Sequence, residues 1–169
     1  LFALIRGLTR VKQNGIGNFW TDVTRSILYI LIPLSILVSL ALISQGVVQN
    51  FTPYETVTLV EPIALENGTQ VTQQIVPMGP AASQVSIKQL GTNGGGFFGA
   101  NSAHPFENPT PLSNLMEMIS ILVIPVALCF TFGKCVNDKK QGVAIFLAMM
   151  IILLGALTVT AVQEQGGTA

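Results

Sequence analysis

Gly91-Thr92-Asn93-Gly94-Gly95-Gly96-Phe97-Phe98 is too polar and too flexible to cross a membrane, yet it lies between stretches long and apolar enough to do so. Backbone groups exposed to hydrocarbon cost several kcal/mol each, so irregular backbone persists at membrane depth only where it is buried in protein or lines a water-filled path. An ion path is the leading reason to find glycines there.

Composition supports a membrane setting independently. Half of the residues are hydrophobic, 9% are charged and the mean hydropathy is +0.61, whereas a soluble domain carries about 25% charged residues. A formal net charge of zero excludes the broad basic face that binds nucleic acid. Cys129 lies inside an apolar stretch and Cys135 just beyond it, which makes neither a disulfide framework nor a metal site, so both are read as reduced thiols. The chain opens at Leu1 without an initiator Met or a signal peptide, and it reads as an excerpt from a longer protein.

Three full spans are predicted. Ile27 to Ser44 holds no charge, which makes a transmembrane helix over residues 26–48. Pro33 in its interior predicts a kink rather than a stop, because neighbours in a bundle can satisfy the freed carbonyl. Phe19, Trp20 and Tyr29 fall where an interfacial aromatic belt would put them. The second span, 112–132, is interrupted only by Glu117 and is expected to bend at Pro125. The third, 142–163, is uncharged from Val143 to Val162.

Positive residues are retained on the cytoplasmic side of short loops. Arg6, Arg10, Lys12 and Arg25 precede the first span and Lys134, Lys139 and Lys140 link the second to the third, so seven of the eight basic residues share one side. The segment 1–25 and the basic link 134–141 are therefore cytoplasmic. The opposite loop sets Lys88 against Glu55, Glu61, Glu66 and Glu107 and faces outward. Whatever lies between the first two spans must enter and leave on that side.

The outer loop, 49–79, is polar and rich in Thr, Val and Gln. Asn67-Gly68 supplies the positive φ angles of a tight turn, which predicts a small β-hairpin with Leu59–Leu65 opposite Gln70–Val76; a loop without regular structure is nearly as good a reading. Asn50-Phe51-Thr52 and Asn67-Gly68-Thr69 match a glycosylation sequon that is common by chance.

After Pro77-Met78-Gly79-Pro80 the spacing predicts a short helix over 80–90, with Pro80 in the first turn. Its length of roughly 16 Å is about half the hydrocarbon thickness. Such a helix dips in from outside and hands over to a filter strand, 91–96. A potassium ion entering a narrow path exchanges its water for backbone carbonyls, and glycine tolerates the angles that aim successive carbonyls at one axis. The helix also points its negative C-terminal end at the cation. A glycine triplet alone reads better as a surface turn, and the half-length helix before it shifts the balance. A phosphate-cradling loop is discarded, since no Lys-Ser or Lys-Thr follows the glycines and no buried strand precedes them.

Three polar residues near this loop need an account. Lys88, one turn before the filter, would repel a cation; it either turns away to pair with Glu107 or snorkels to the surface, and neutralising it is expected to alter ion affinity only modestly. Glu117 is a functional candidate by default as an ionisable residue in a span, but within two turns of the outer end it reads as interfacial. His104 reads as a hydrogen-bonding residue that orders its loop, since no second His or Cys lies nearby.

The stretch from Gly91 through Gly99-Ala100-Asn101-Ser102-Ala103-His104-Pro105-Phe106-Glu107-Asn108-Pro109-Thr110 closely resembles the KdpA family, the potassium-binding subunits of the bacterial Kdp potassium-transporting P-type ATPases. Gly17-Asn18-Phe19-Trp20, Leu31-Ile32-Pro33-Leu34, Gln45-Gly46-Val47, Gly79-Pro80-Ala81-Ala82-Ser83-Gln84 and Ile124-Pro125 resemble it too, so the likeness covers nearly the whole chain. Family members usually carry Asn where Gly99 stands.

The resemblance implies an all-α membrane protein of the bacterial cytoplasmic (inner) membrane. Its pattern is a potassium-channel-like repeat of transmembrane helix, re-entrant pore helix, filter loop and helix, here with a small extracytoplasmic β-hairpin. Residues 26–133 would be one of four repeats, 1–25 the link from the preceding one and 142–163 the first helix of the next. Thr92, Asn93, Gly94, Gly95 and Gly96 would form a quarter of a potassium-binding filter. The KdpA chain would not be an enzyme and would bind no nucleotide. The B subunit, KdpB, which carries the phosphorylated Asp, would hydrolyse ATP, and the C and F subunits would complete the complex. One repeat cannot close a fourfold filter. The rival readings are a gradient-driven symporter of the Trk type, against which Asn101-Ser102-Ala103-His104-Pro105 speaks, and a membrane scaffold without an ion path.

Overall fold

A computed structural model describes residues 1–9, 15–65 and 68–167, apart from the side chain of Ala100. The elements are α1 (Phe2–Thr9), α2 (Phe19–Ser44), β1 (Glu55–Ala64), β2 (Gln70–Val76), α3 (Ala81–Leu90), α4 (Pro111–Cys135) and α5 (Lys139–Gln165). Among the described residues, α2, α4 and α5 are long and apolar enough to cross a membrane, and only 6%, 17% and 6% of their most apolar windows are buried by the chain itself. Helices that are apolar all round and mostly uncovered need a membrane or further protein around them. The contacts divide into two compact units, Leu1–Arg25 with Val123–Ala169, and Ser26–Leu122.

In the first unit, Arg6 on α1 grips Asp22 with both guanidinium nitrogens and also donates to the Ile16 carbonyl. Gly17 passes beneath that fork at φ +104, where a Cβ would meet the guanidinium. Asn18 caps the following helix, its Oδ1 accepting from the Thr21 N–H at 3.2 Å. Arg10 and Lys12 lie outside the described residues.

The same unit contains the turn from α4 into α5. Asn137 adopts φ +58, and Asp138 caps α5 by accepting from the Lys140 N–H at 2.9 Å. The helices then cross at two glycines. A Cβ on Gly133 would approach the Gly142 Cα to 2.9 Å, and one on Gly142 would approach the Cys129 carbonyl oxygen to 2.8 Å. Small residues of this kind let backbones meet where apolar side chains gain little from leaving lipid. Both cysteines are free thiols, with Cys129 buried and Cys135 exposed. Replacing Gly142 with valine is expected to cost about 1–3 kcal/mol by overpacking. Gly155→Ala, with nothing within 4 Å, is expected to be neutral or slightly stabilising, since Ala is the better helix former. Equal thermal midpoints for the two variants in detergent would refute the crossing.

The second unit is built around the end of α2. Pro33 has no N–H for the Tyr29 carbonyl, and the helix meets it with a π turn over Ile27–Leu31, in which the Ile32 N–H bonds the Ile27 carbonyl. The helix begins at Phe19 because Asn18 caps it there. It stops at Ser44, short of 48, because Gly46 turns left-handed at φ +97 and closes a Schellman motif: Gly46 N–H bonds Ile43 at 2.9 Å and Val47 N–H bonds Leu42 at 3.2 Å. The strand that follows caps α3. Gly79, Val48 and the Gln49 side chain accept from the N–H groups of Ala81, Ala82 and Ser83, so the orphan donors of that helix are satisfied by α2's continuation. Ala81, Ala82 and Val85 bury completely against Leu42 and Val47, with Val38, Val48, Phe98 and Met116 around them.

The hairpin forms with a different register from the one expected. Glu55 pairs with Val76, so β1 starts four residues before Leu59, and the step from Thr58 to Ile63 matches only that from Gln73 to Val71. Pro62 lies in this bulge, where its missing N–H breaks no ladder bond. Gly68 has φ +81 at the turn; Glu66 and Asn67 lie outside the described residues. α4 starts with a reciprocal cap in which Thr110 Oγ1 accepts from the Ser113 N–H and Ser113 Oγ from the Thr110 N–H, both at 3.0 Å, with Pro111 in the favoured first helical position.

Candidate functional site

The chain leaves α3 through a second Schellman closure. Thr92 N–H bonds Gln89 at 3.2 Å and Asn93 N–H bonds Lys88 at 3.1 Å. Thr92 occupies the left-handed position at φ +55, where glycine is usual, at a cost of about 1–3 kcal/mol in backbone strain. From there the N–H groups point back into the protein while the carbonyls stay open. Among the described residues, the carbonyls of Thr92, Asn93, Gly94 and Gly96 accept no hydrogen bond. Thr92 to Gly95 are exposed and Gly96 is half-buried. A cavity of about 280 Å³ lies beside Thr92, Asn93 and Gly94, lined also by Lys88, Gln89, Asn101 and Ile121.

Gly95 differs from its neighbours. Its carbonyl accepts from Lys88 Nζ at 2.9 Å, and its N–H donates to Asn101 Oδ1. Lys88 Nζ also contacts Ser102 Oγ and lies 3.5 Å from Glu107 Oε2. Glu107 is completely buried; it accepts from Ser102 Oγ at 2.7 Å and from the Phe98 N–H at 2.5 Å. Of the two readings of Lys88, the pair with Glu107 is the one present, and the ammonium is buried rather than snorkelled.

Around this cluster Phe98 packs edge-on against Phe97 and Phe106, with centroids 5.0 and 5.6 Å away. His104 Nδ1 accepts from the Phe106 N–H at 3.2 Å, and the His104 carbonyl receives Glu107 and Asn108. Asn101 and Ser102 hold φ +52 and +66 in succession, which brings both side chains back toward Gly95. Gly96 has no room for a side chain, since a Cβ would lie 2.7 Å from the Gly99 carbonyl oxygen and 2.9 Å from Glu107 Oε1.

Glu117 is not interfacial. It is 2% exposed and accepts from Gln89 Nε2 at 2.6 Å, because Gln89 on α3 faces α4 at that level.

The sequence model of the family described as potassium-transporting ATPase A subunit, KdpA, matches residues 1–169. The chain belongs to the KdpA family. It is 71% identical over 168 residues to the protein named potassium-transporting ATPase potassium-binding subunit from Clostridium botulinum, covering 99% of this chain and 29% of that protein. Proteins of the same name from Clostridium perfringens and Desulfovibrio desulfuricans are 66% and 61% identical over the same shares. The chain therefore spans 29% of the length of these KdpA relatives.

Sequence reasoning missed Ser102 and Asn101 as partners of the loop, and it did not connect Lys88 to Gly95. One signal was available, since Lys88 and Glu107 are a lone basic residue and an acidic one flanking the glycines. The left-handed pair at 101 and 102, which brings Asn101 and Ser102 back to the loop, leaves no mark in residue type at Ser102.

Proposed function

We propose that this chain contributes one segment of a potassium-selective path within the membrane-embedded part of an ATP-driven uptake complex. Thr92, Asn93, Gly94, Gly95 and Gly96 coordinate the dehydrated ion through backbone carbonyls. The observation that carries the reading is the row of carbonyls without hydrogen-bond partners, anchored through N–H groups from behind. Carbonyl oxygens at membrane depth need a partner, and a cation that has shed its water supplies one. Gly95 engages Lys88 with one lone pair and has a second to offer. The C-terminal end of α3 adds a favourable field for a cation.

With 10 residues, α3 extends about 15 Å and is too short to span, so it enters and leaves from one side. The basic residues Arg6, Arg25, Lys134, Lys139 and Lys140 put that side outside a bacterial inner membrane. The other filter segments come from parts of the protein that this chain does not include. Its partners are the ATP-hydrolysing B subunit and the C and F subunits, and this chain itself performs no hydrolysis. The relatives' printed name supports potassium as the ion and an ATPase as the assembly.

Gly94→Ser in the full-length KdpA protein, assembled into its complex, tests the reading. A Cβ at Gly94 makes only an ordinary 3.6 Å contact with Asn101 Oδ1, so the chain's own fold tolerates it. Stimulation of ATP hydrolysis is expected to need at least tenfold more potassium, with weaker discrimination against rubidium. Unchanged ion dependence would make the loop structural.

A further inference from the structure

We propose that Lys88, Ser102 and Glu107 form one positioning cluster that orients the peptide units of Gly95 and Phe98, and so sets which alkali cation the loop prefers. The inference rests on the reading of 92–96 as the ion path. Lys88 and Glu107 are 5% and 0% exposed, and the chain alone achieves this burial, without the rest of the full-length protein. A lysine and a carboxylate are almost never so deeply buried unless paired, and here both also reach the loop backbone. Lys88 Nζ holds the Gly95 carbonyl at 2.9 Å. Glu107 Oε1 holds the Phe98 N–H at 2.5 Å, while Oε2 takes the Ser102 hydroxyl at 2.7 Å. Asn101 Oδ1 holds the Gly95 N–H. The loop is thus gripped on both sides of Gly96, on its carbonyl and N–H groups alike.

The charge pattern fits a positioning role rather than ion binding. Glu107 sits 3.5 Å from Lys88, so the ammonium that would repel a cation is neutralised within the cluster and acts through its hydrogen bonds. Selectivity among ions of similar chemistry depends on the number and orientation of the carbonyl dipoles presented. A loop released from its rear anchors can adjust to rubidium as readily as to potassium.

The test is made in the full-length KdpA protein in its complex, with potassium and rubidium each titrated against ATP hydrolysis. Lys88→Met combined with Glu107→Gln removes both charges together, avoiding a lone buried charge, and keeps an acceptor for the Phe98 N–H. Assembly and maximal hydrolysis are expected to persist, apparent potassium affinity to fall at least tenfold, and the potassium-to-rubidium ratio to move toward one. A purely structural cluster would lower the yield of complex and leave that ratio alone. An unchanged ratio in the double variant, with a shifted one in Gly94→Ser, overturns the positioning role while sparing the filter reading. If both ratios are unchanged, the filter reading falls and this proposal with it. Should the double variant fail to assemble, Ser102→Ala decides by the same ratio: a shift supports the cluster and no shift overturns it.

Discussion

Replacing Gly96 with alanine is expected to abolish potassium-stimulated ATP hydrolysis at working potassium concentrations or to raise the concentration required at least thirtyfold. The added Cβ would lie 2.7 Å from the Gly99 carbonyl oxygen and within 3.0 Å of both carboxylate oxygens of Glu107. Neither neighbour can yield cheaply. Gly99 O is backbone, and Glu107 is buried and tied to Phe98, Ser102 and Lys88. Overpacking of this kind costs about 1–3 kcal/mol, and each 1.4 kcal/mol is about tenfold in an equilibrium. The whole penalty falls on the segment proposed to meet the ion. Gly99→Asn is the matched control. Gly99 has φ +92 with nothing within 4 Å of its Cβ direction, and Asn is among the side chains that best tolerate left-handed backbone, which accounts physically for the Asn that the family resemblance puts there. Its ion dependence should stay within about threefold of the parent, since only a fraction of a kcal/mol separates Asn from Gly at such a position. Equal responses of the two variants would show that the crowding at Gly96 does not govern the loop.

Glu107→Ala is expected to produce the largest loss of stability of any single change near the loop. It would leave the Lys88 ammonium buried without its carboxylate and strip acceptors from the Phe98 N–H and the Ser102 hydroxyl. Breaking a buried pair from one side costs about 3–5 kcal/mol. The expected result is little or no assembled complex, and in what does assemble, faster proteolysis around residues 94–107 and a lower thermal midpoint. A melting profile and protease sensitivity indistinguishable from the parent would mean that the pair is not stably formed.

Residue type alone made much of this architecture legible. The apolar runs of α2, α4 and α5 could be read because crossing a membrane depends on transfer free energy summed over about 20 residues, a strictly local quantity. The extent of α3 was legible for a similar reason, since Pro80 and Gly91 punctuate it on either side. The hairpin register was not, because Pro62 displaces the pairing and the turn dipeptide alone does not specify how many residues are bulged out. Glu117 was misplaced because depth along a span says nothing of which neighbour it meets, and Gln89 on another helix is what buries it.

Hydropathy, helix length and the freedom of glycine all act within a few adjacent residues, which is why the linear chain already specifies the membrane class, the three apolar helices, the half-length helix and the glycine loop after it. Packing settled the rest. Only in the folded chain are the N–H groups of that loop anchored while four of its carbonyls are left open. Folding also joined Lys88 to Ser102 and Glu107, 14 and 19 residues further along the chain, in a buried cluster behind Gly95. Pairing of that kind depends on which side chains desolvate together once α3 has packed on α2 and the chain has turned left-handed at Asn101 and Ser102, and no local pattern encodes it.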